Sequence, residues 1–252
     1  MISVSGREWK EEKVSKRLVE KIEQEYNFSK IVSKLVVSRK FNKEEIYLIN
    51  SDLKLSNFFQ NNPDFIKSVN LVEKSIKNKE NICIFGDYDV DGSASTSLLI
   101  NFFQSINHPN FYYIPDRVKD GYGASIAIFK KIILKKPKLV IMVDCGSTSK
   151  DAINYLNQNN IKSLVIDHHE INKPYPKANV IINPKKNNGY LEYDYLCATT
   201  LTYFFLELLA QKIKCKIDLK KYLINVLLAT VCDVMPLRKL NRLLAKKVII
   251  EF

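Results

Sequence analysis

Glycine, proline and cysteine are all scarce in this 252-residue chain, at seven, eight and five residues. The cysteines, at positions 83, 145, 197, 215 and 232, form no CxxC pair. That spacing excludes a zinc ribbon and a disulfide framework and fits a reducing cytoplasm, the expected location. No apolar run approaches the ~18 residues a membrane-spanning helix needs, so neither a transmembrane protein nor a membrane partner is expected. The start, MISVSGREWKEEK, turns charged before an apolar leader core can form, so a secretory signal is not expected either. Histidine is rarer still, with three residues.

What the chain does have is a core's worth of apolar residues. Hydrophobic residues make up 46% and charged residues 26%, which excludes disorder and leaves room for one large α/β domain, alone or with a small appendage. The formal net charge is +12, from 39 basic and 27 acidic residues, and a balance of that size points toward a polyanionic partner. Only six of the basic residues are arginine, and Asn, Ile, Tyr and Phe are plentiful. Such usage also fits an AT-rich genome, so charge by itself does not name a partner.

Residues 1 to about 80 read as a helical N-terminal extension. Val14, Leu18 and Ile22 recur every fourth position among charges, Ile31, Leu35 and Ile46 lie in shorter stretches, and 63–78 repeats the pattern with Pro63 near its start. From residue 81 the pattern changes. Short β-branched runs at 82–85, 111–114, 139–143, 164–166 and 180–182 alternate with helix candidates at 93–106, 124–136 and 149–160. This alternation predicts an α/β fold with a mostly parallel sheet flanked by helices. After 195 helices return, at 195–213, 219–230 and from about 237.

In an open α/β sheet the reactive groups stand just beyond the carboxyl ends of the strands. There the sequence places Asp87, Asp89 and Asp91 after the first run, Asp144-Cys145-Gly146 after the third, and Asp167-His168-His169 after the fourth. An apolar helix ending near Val231 leads to Cys232-Asp233. Two of the chain's three histidines, and Gly86, Gly92 and Gly146 among its seven glycines, lie in these segments. Taken singly, Asp144 or Asp233 reads as a turn or capping residue, and the histidine pair as an ordinary loop pair. The run from Asp87 to Asp91 is different, because three carboxylates within five residues repel one another unless a cation or proton compensates them. Carboxylates with imidazole and no thiolate cluster suit two Mn²⁺ or Mg²⁺ ions, which can clamp a phosphoryl displacement, with Asp144 the natural bridge. Cys145 and Cys232 read as small buried neighbours. Softer candidates follow. Ser93, Ser95 and Thr96 could present a helix N-terminus to phosphate or simply cap it. Arg117 with Gly121-Tyr122-Gly123 could receive phosphate or form a plain βα loop. Tyr112 and Tyr113 could stack on bases or pack in the core.

At these residues the chain resembles the DHH phosphoesterases, through Gly86-Asp87-Tyr88-Asp89-Val90-Asp91-Gly92, Asp144-Cys145-Gly146, Asp167-His168-His169 and Cys232-Asp233-Val234-Met235-Pro236. Within them it is similar to the RecJ subfamily of single-strand-specific DNA exonucleases, through Ser5-Gly6-Arg7-Glu8-Trp9, Pro115-Asp116-Arg117, Gly121-Tyr122-Gly123, Ile182-Asn183-Pro184 and Asn241-Arg242. The resemblance implies a DHH catalytic domain over 81–236 that hydrolyses single-stranded DNA from the 5′ end with two Mn²⁺ or Mg²⁺ ions, in repair and recombination. It implies Asp87, Asp89, Asp91, Asp144, His168 and Asp233 as metal ligands, Asp87 directly or at one remove. His169 would contact the scissile phosphate and Asp167 would orient the imidazoles, so that Asp144, Asp167, His168 and His169 form the catalytic set. Ser93, Arg117, Tyr122 and Gly123 join His169 in the substrate-binding set. Residues 237–252 read as the start of a connecting helix, with the family's DHHA1-type and OB-type domains absent. The expected partners are therefore single-stranded DNA and a separately encoded DHHA1/OB-type polypeptide, if the gene is split rather than a remnant or a cut fragment. In 196–201 threonine stands where the family has glycine, so close backbone approach is not expected there. The competing readings are a phosphoesterase of pyrophosphate or short oligonucleotides, and an inactive binding subunit that keeps the fold.

Overall fold

The β-branched runs of the sequence become five parallel strands in the computed structural model, which describes residues 2–8, 10, 12–51, 57–121, 123–186 and 190–251. Trp9 and Tyr122, both singled out above, lie outside the described residues. The chain divides into two compact units, Met1–Asp52 and Leu53–Phe252.

The first unit holds α1 (Lys16–Tyr26), α2 (Lys30–Ser38) and α3 (Lys43–Asn50). Ser15 and Ser29 cap α1 and α2, and Asn42 with Glu45 forms a reciprocal capping box on α3. The 3.6-residue periodicity foretold helices, yet their buried stripe lies one residue along from the expected one. Val19 and Val36 are buried, while Leu18 and Leu35 stay half exposed, and α1 and α2 pack on each other.

The second unit opens with α4 (Pro63–Lys77), started by Pro63 at its first position and capped by Asn62. Its side chains Phe65, Val69 and Val72 enter the core beside α8 and β5, so this helix is part of the sheet unit rather than of the N-terminal extension. Then follow β1 (Ile82–Gly86), α5 (Val90–Ser105), β2 (Asn110–Tyr113), α6 (Ile126–Ile133), β3 (Leu139–Val143), α7 (Lys150–Gln158), β4 (Lys162–Ile166), β5 (Val180–Ile182), α8 (Ala198–Lys212), α9 (Leu223–Cys232) and α10 (Lys239–Glu251). Helix α5 begins three residues before its expected start, because Asp89 caps it by accepting from the Gly92 amide at 2.9 Å. Helix α10 sinks Leu240, Leu244 and Val248 into the core and so packs as part of this unit.

The strand order is β2-β1-β3-β4-β5. Alternate residues feed opposite faces, as a period of two requires. Ile82, Ile84, Leu139, Ile141, Val143, Leu164 and Ile166 pack under α4, α5, α8 and α9. Cys83, Phe85, Val140, Met142 and Val165 pack under α6 and α7. With helices on both faces, β1 and β3 are wholly buried and read as unbroken apolar runs. The chain moves one way from β1 to β2 and the other way to β3, so a crevice opens beyond the carboxyl ends of β1 and β3.

Ile141, at the centre of β3 and fully buried, tests this core. Ile141→Ala should lower the unfolding free energy by about 2–5 kcal/mol, whereas Tyr112→Ala on edge strand β2, at 57% exposure, should change it by about half a kcal/mol. Urea unfolding of the two variants checks both values.

Candidate metal centre

The crevice between β1 and β3 collects the acids. Asp87, Asp144 and Asp167 each follow the end of their strand directly. Asp91 sits in the first turn of α5, and Asp233 caps the carboxyl end of α9. Gly92 permits this crowding, since a Cβ there would lie 2.5 Å from the Asp87 carbonyl oxygen. Asp144 takes a left-handed backbone conformation (φ 59°), as does Val234 (φ 54°) beside Asp233. Such conformations cost roughly 1–3 kcal/mol each in a non-glycine residue and persist where the surroundings enforce them.

Three carboxylate oxygens converge on the His168 ring. Its Nε2 lies 3.3 Å from Asp144 Oδ1, 3.4 Å from Asp233 Oδ2 and 3.6 Å from Asp91 Oδ2. Three sets of residues bring ligand atoms within 4.8 Å of one another: Asp87, Asp89 and Asp144; Asp91, His168 and Asp233; and Asp144, His168 and His169. All six residues expected to hold metal thus lie in one neighbourhood. Asp144 belongs to two of the sets and neighbours the third through His168.

Asp144 Oδ1 and Oδ2, Asp87 Oδ1 and His168 Nε2 are buried without a hydrogen-bond partner. An unsatisfied buried polar atom costs roughly 1–3 kcal/mol, more when charged, so these atoms are suited to something other than a protein donor. Oxygen and imidazole donors without thiolate match Mn²⁺ or Mg²⁺. Of the two neighbouring thiols, Cys145 is buried as expected; Cys232 is exposed, because it ends α9 on the solvent side.

Burial, and then the charges of Asp91 and Asp89, push the Asp144 carboxyl far above the usual carboxylate range. Burial raises Asp87 and Asp233 as well. Asp167 moves the other way. Burial would raise it, but hydrogen bonds from His169 and Ser147 outweigh that and hold it well below the usual range. Its Oδ1 accepts from the His168 amide at 2.8 Å, the His169 amide at 3.2 Å and His169 Nδ1 at 2.8 Å, and its Oδ2 accepts from the Ser147 amide at 2.9 Å. Asp167 therefore orients the ring of His169 but touches His168 only through its amide. The same bond raises the pKa of His169, whose side chain is 42% exposed at the cleft. Asn183 secures this loop from β5, donating to the His169 carbonyl at 2.9 Å and to Ser147 Oγ at 2.7 Å.

The softer candidates divide. Gly123 lines a recess of about 180 Å³ with Gly146, Thr148, Ser149, Asp167 and His169. Arg117 is exposed and lies over the Tyr88 ring, 5.5 Å from its centroid, beside the acidic run. Ser93 stands exposed on α5, while Ser95 donates to the Asp91 carbonyl and serves the helix. Tyr113 packs flat on Phe85 and donates to Asp120, leaving Tyr112 exposed at the edge. Close approach at 196–201 does occur: the Ala198 and Thr199 amides donate to Asp91 Oδ2 and Oδ1 at 2.7 and 2.8 Å. These two contacts use backbone N–H groups, which any residue but proline supplies. Ser147 escaped the sequence reading; Ala198 and Thr199 stood in a stretch it singled out, and Asn183 in a motif, without their roles being revealed.

A model of the DHH family, N-terminal domain, matches residues 81–231. The single-stranded-DNA-specific exonuclease RecJ of Bacillus subtilis is 27% identical over 248 residues, covering 94% of this chain and 30% of that protein. RecJ of Haemophilus influenzae is 29% identical, covering 71% of this chain and 33% of that protein. The chain spans about a third of the length of these curated relatives. Among solved structures, RecJ of Thermus thermophilus in complex with Mn²⁺ matches with a TM-score of 0.72 at 20% identity, over 91% of this chain and 32% of that one. An exonuclease RecJ bound to manganese matches at 0.64 and 24% identity, over 73% of this chain and 46% of that one. At these identities the structural likeness speaks for the fold.

The raised Asp144 has a consequence for metal-free protein. The folded state keeps a proton that the unfolded chain releases near pH 4, so stability from this group is full below that pH and falls as pH rises. With chelator present, the wild type should lose stability relative to Asp144→Asn by up to about 1.4 kcal/mol per pH unit between pH 5 and 8. The facing groups Asp87, Asp89, Asp91, Asp167, His168 and His169 are common to both proteins. Urea unfolding across that range checks the divergence; parallel curves would refute it.

Proposed function

The chain belongs to the DHH family, and on that premise we propose that it is a metal-dependent phosphodiesterase domain acting on single-stranded DNA, RecJ-like, in DNA repair and recombination. The observation that carries this reading is Asp144, a buried carboxylate with both oxygens unpartnered, shared between neighbouring sets of ligand atoms. Asp87, Asp89 and Asp144 would hold one divalent ion, and Asp91, Asp144, His168 and Asp233 a second. Bound ions of this kind lower the pKa of a nucleophilic water and offset the charge that builds on the phosphoryl oxygens.

The chain's own residues do the rest. His169, fixed through Nδ1 by Asp167 and held toward its protonated form, offers a cationic donor to a phosphate oxygen at the cleft edge. Arg117, over Tyr88, offers a fork-shaped donor to a neighbouring phosphate. Gly123 and the Gly146 turn leave the recess beside His169 open to part of a nucleotide. The excess of lysine on the chain supplies sequence-independent attraction to the strand's phosphates. A long strand also needs positive charge on a second side of the cleft. We place that charge on DHHA1-type and OB-type polypeptide, in the same or a separate chain. The cytoplasm fits five free cysteines and the lack, among the described residues, of a helix long and apolar enough to cross a membrane.

Mn²⁺ at 100 times its dissociation constant should stabilise the protein by about 2.7 kcal/mol. For a unit of this size that is roughly 5–10 °C in melting temperature. With Mn²⁺, end-labelled single-stranded oligonucleotide should be cut and duplex spared, with affinity falling steeply as salt rises. Asp144→Asn should reduce cutting to background while the fold is kept. Equal cutting of duplex, or hydrolysis of pyrophosphate alone, would replace this reading with a small-substrate phosphoesterase. An unmoved melting curve would mean that the acids do not assemble a metal centre.

A further inference from the structure

Helix α8 starts without help from its own N-cap, since the Cys197 side chain makes no capping bond. Its first amides are instead taken by Asp91, 107 positions earlier in the chain: the Ala198 N–H donates to Oδ2 at 2.7 Å and the Thr199 N–H to Oδ1 at 2.8 Å. The same residues are joined again through the backbone, where Thr199 Oγ1 donates to the Asp91 carbonyl at 3.0 Å and Ser95 Oγ donates to it at 2.7 Å. All of these residues are buried. Each carboxylate oxygen thus accepts one N–H and keeps a second acceptor direction. Asp91 Oδ2 lies 3.6 Å from the partnerless Nε2 of His168, which in turn lies 3.3 Å from the partnerless Oδ1 of Asp144.

A carboxylate with a free χ2 loses rotamer freedom each time it engages a cation. One held in a fork of two amides, at the positive end of a helix dipole, has already lost it. We infer that the start of α8, through the Ala198 and Thr199 amides and the Thr199 hydroxyl, is the clamp that orients Asp91 for divalent metal, with Ala198 and Thr199 acting as positioning residues. The inference rests on the metal reading above and adds to it the part played by a helix remote in sequence. It also accounts for threonine at 199: a hydroxyl there ties the backbone of Asp91, which glycine or alanine could not do.

The geometry supplies a clean probe. Ala198 is the first helical residue, where proline fits a helix, and Cys197 before it is extended (φ −77°, ψ 167°), as a residue preceding proline must be. Ala198→Pro therefore keeps the helix backbone, removes the N–H to Asp91 and sets the ring Cδ against Oδ2, so that the carboxylate must leave this side of the fork. Thr199→Val removes the hydroxyl but keeps the amide, and Thr199→Ser restores the hydroxyl. Thr202→Val, in the same helix and with no hydrogen-bond partner for its hydroxyl, is the control. Mn²⁺ binding is measured by calorimetry and by the Mn²⁺ paramagnetic resonance signal, with melting recorded in chelator.

Ala198→Pro should weaken one of two Mn²⁺ binding events by about 10- to 100-fold, the usual effect of losing a group that orients a ligand. The event served by Asp87, Asp89 and Asp144 should keep its affinity. Thr199→Val should weaken the same event, Thr199→Ser should recover it, and Thr202→Val should match wild type. Ala198→Pro with wild-type affinities, or variants that lower only the metal-free melting temperature, would reduce the contact to a helix cap and overturn the inference. If proline prevents folding, Thr199→Val against Thr199→Ser decides by the same criterion. Wild-type protein that binds no Mn²⁺ overturns the metal reading and this inference together, whereas wild-type binding with unaffected variants overturns this inference alone.

Discussion

The second unit is organised around one electrostatic problem: keeping several carboxylates within a few ångströms of one another and away from water. Asp87, Asp91, Asp144 and Asp167 are each buried to 2% exposure or less, and Asp89 and Asp233 stand beside them. Like charges so close in a low-dielectric setting repel by several kcal/mol, and most arrangements of a chain would swing them out to solvent. The backbone prevents that escape. Gly92 lets the start of α5 lie against Asp87, the left-handed turn at Asp144 fixes its carboxyl beyond β3, and Gly146 turns the chain at φ 112° before Ser147 reaches Asp167. Each of these is a local cost, met by the packing of two fully buried strands directly beneath.

Topology makes the concentration feasible. Because β1 lies between β2 and β3, the loops after β1 and β3 cover opposite sides of one crevice instead of crossing it. The chain needs only short loops to set the acids of 87–91 opposite Asp144, with β4 delivering the histidines from the next position. Helices α8 and α9 come from the end of the unit and close the same crevice from the larger core face, α8 by its amides and α9 by Asp233. Segments far apart in sequence thus converge for a reason that lies in strand order, and no loop has to be long.

This division explains what could be read from the sequence. The strands were legible because both faces of β1 and β3 are buried, which leaves continuous apolar runs, and the acids because they stand immediately after those runs. Helix starts were harder. Asp89 both belongs to the acidic run and caps α5, so the run hid the first turn of the helix. The assignment of α4 failed for a similar reason: an amphipathic pattern tells that Phe65, Val69 and Val72 are covered, not what covers them. Least legible was the fork of α8 amides around Asp91, since an N–H donor leaves no mark in side-chain identity. Asn183 was visible as a motif residue, but its bonds to Ser147 and the His169 carbonyl depend on β5 lying beside β4.

Asp144 and Asp167 show why burial alone does not define a site residue. Both are 1% exposed, both follow a strand directly, and they stand on neighbouring strands of one sheet. Their carboxyls nevertheless move in opposite directions, Asp144 strongly up and Asp167 down. Desolvation raises both, so the difference comes from the donors and charges beside each. Asp167 accepts four hydrogen bonds, three of them from the two histidines that follow it. Asp144 accepts none, and like-charged carboxylates surround it. With three donors on Oδ1 and one on Oδ2, Asp167 is committed to holding an imidazole and three amides in place. A carboxylate without donors is unfavourable until a cation or proton reaches it, and that unmet demand suits Asp144 to metal. The same pair of strands thus produces an orienting acid and a binding acid, and the distinction lies in which N–H groups and which charges the neighbouring loops set beside each.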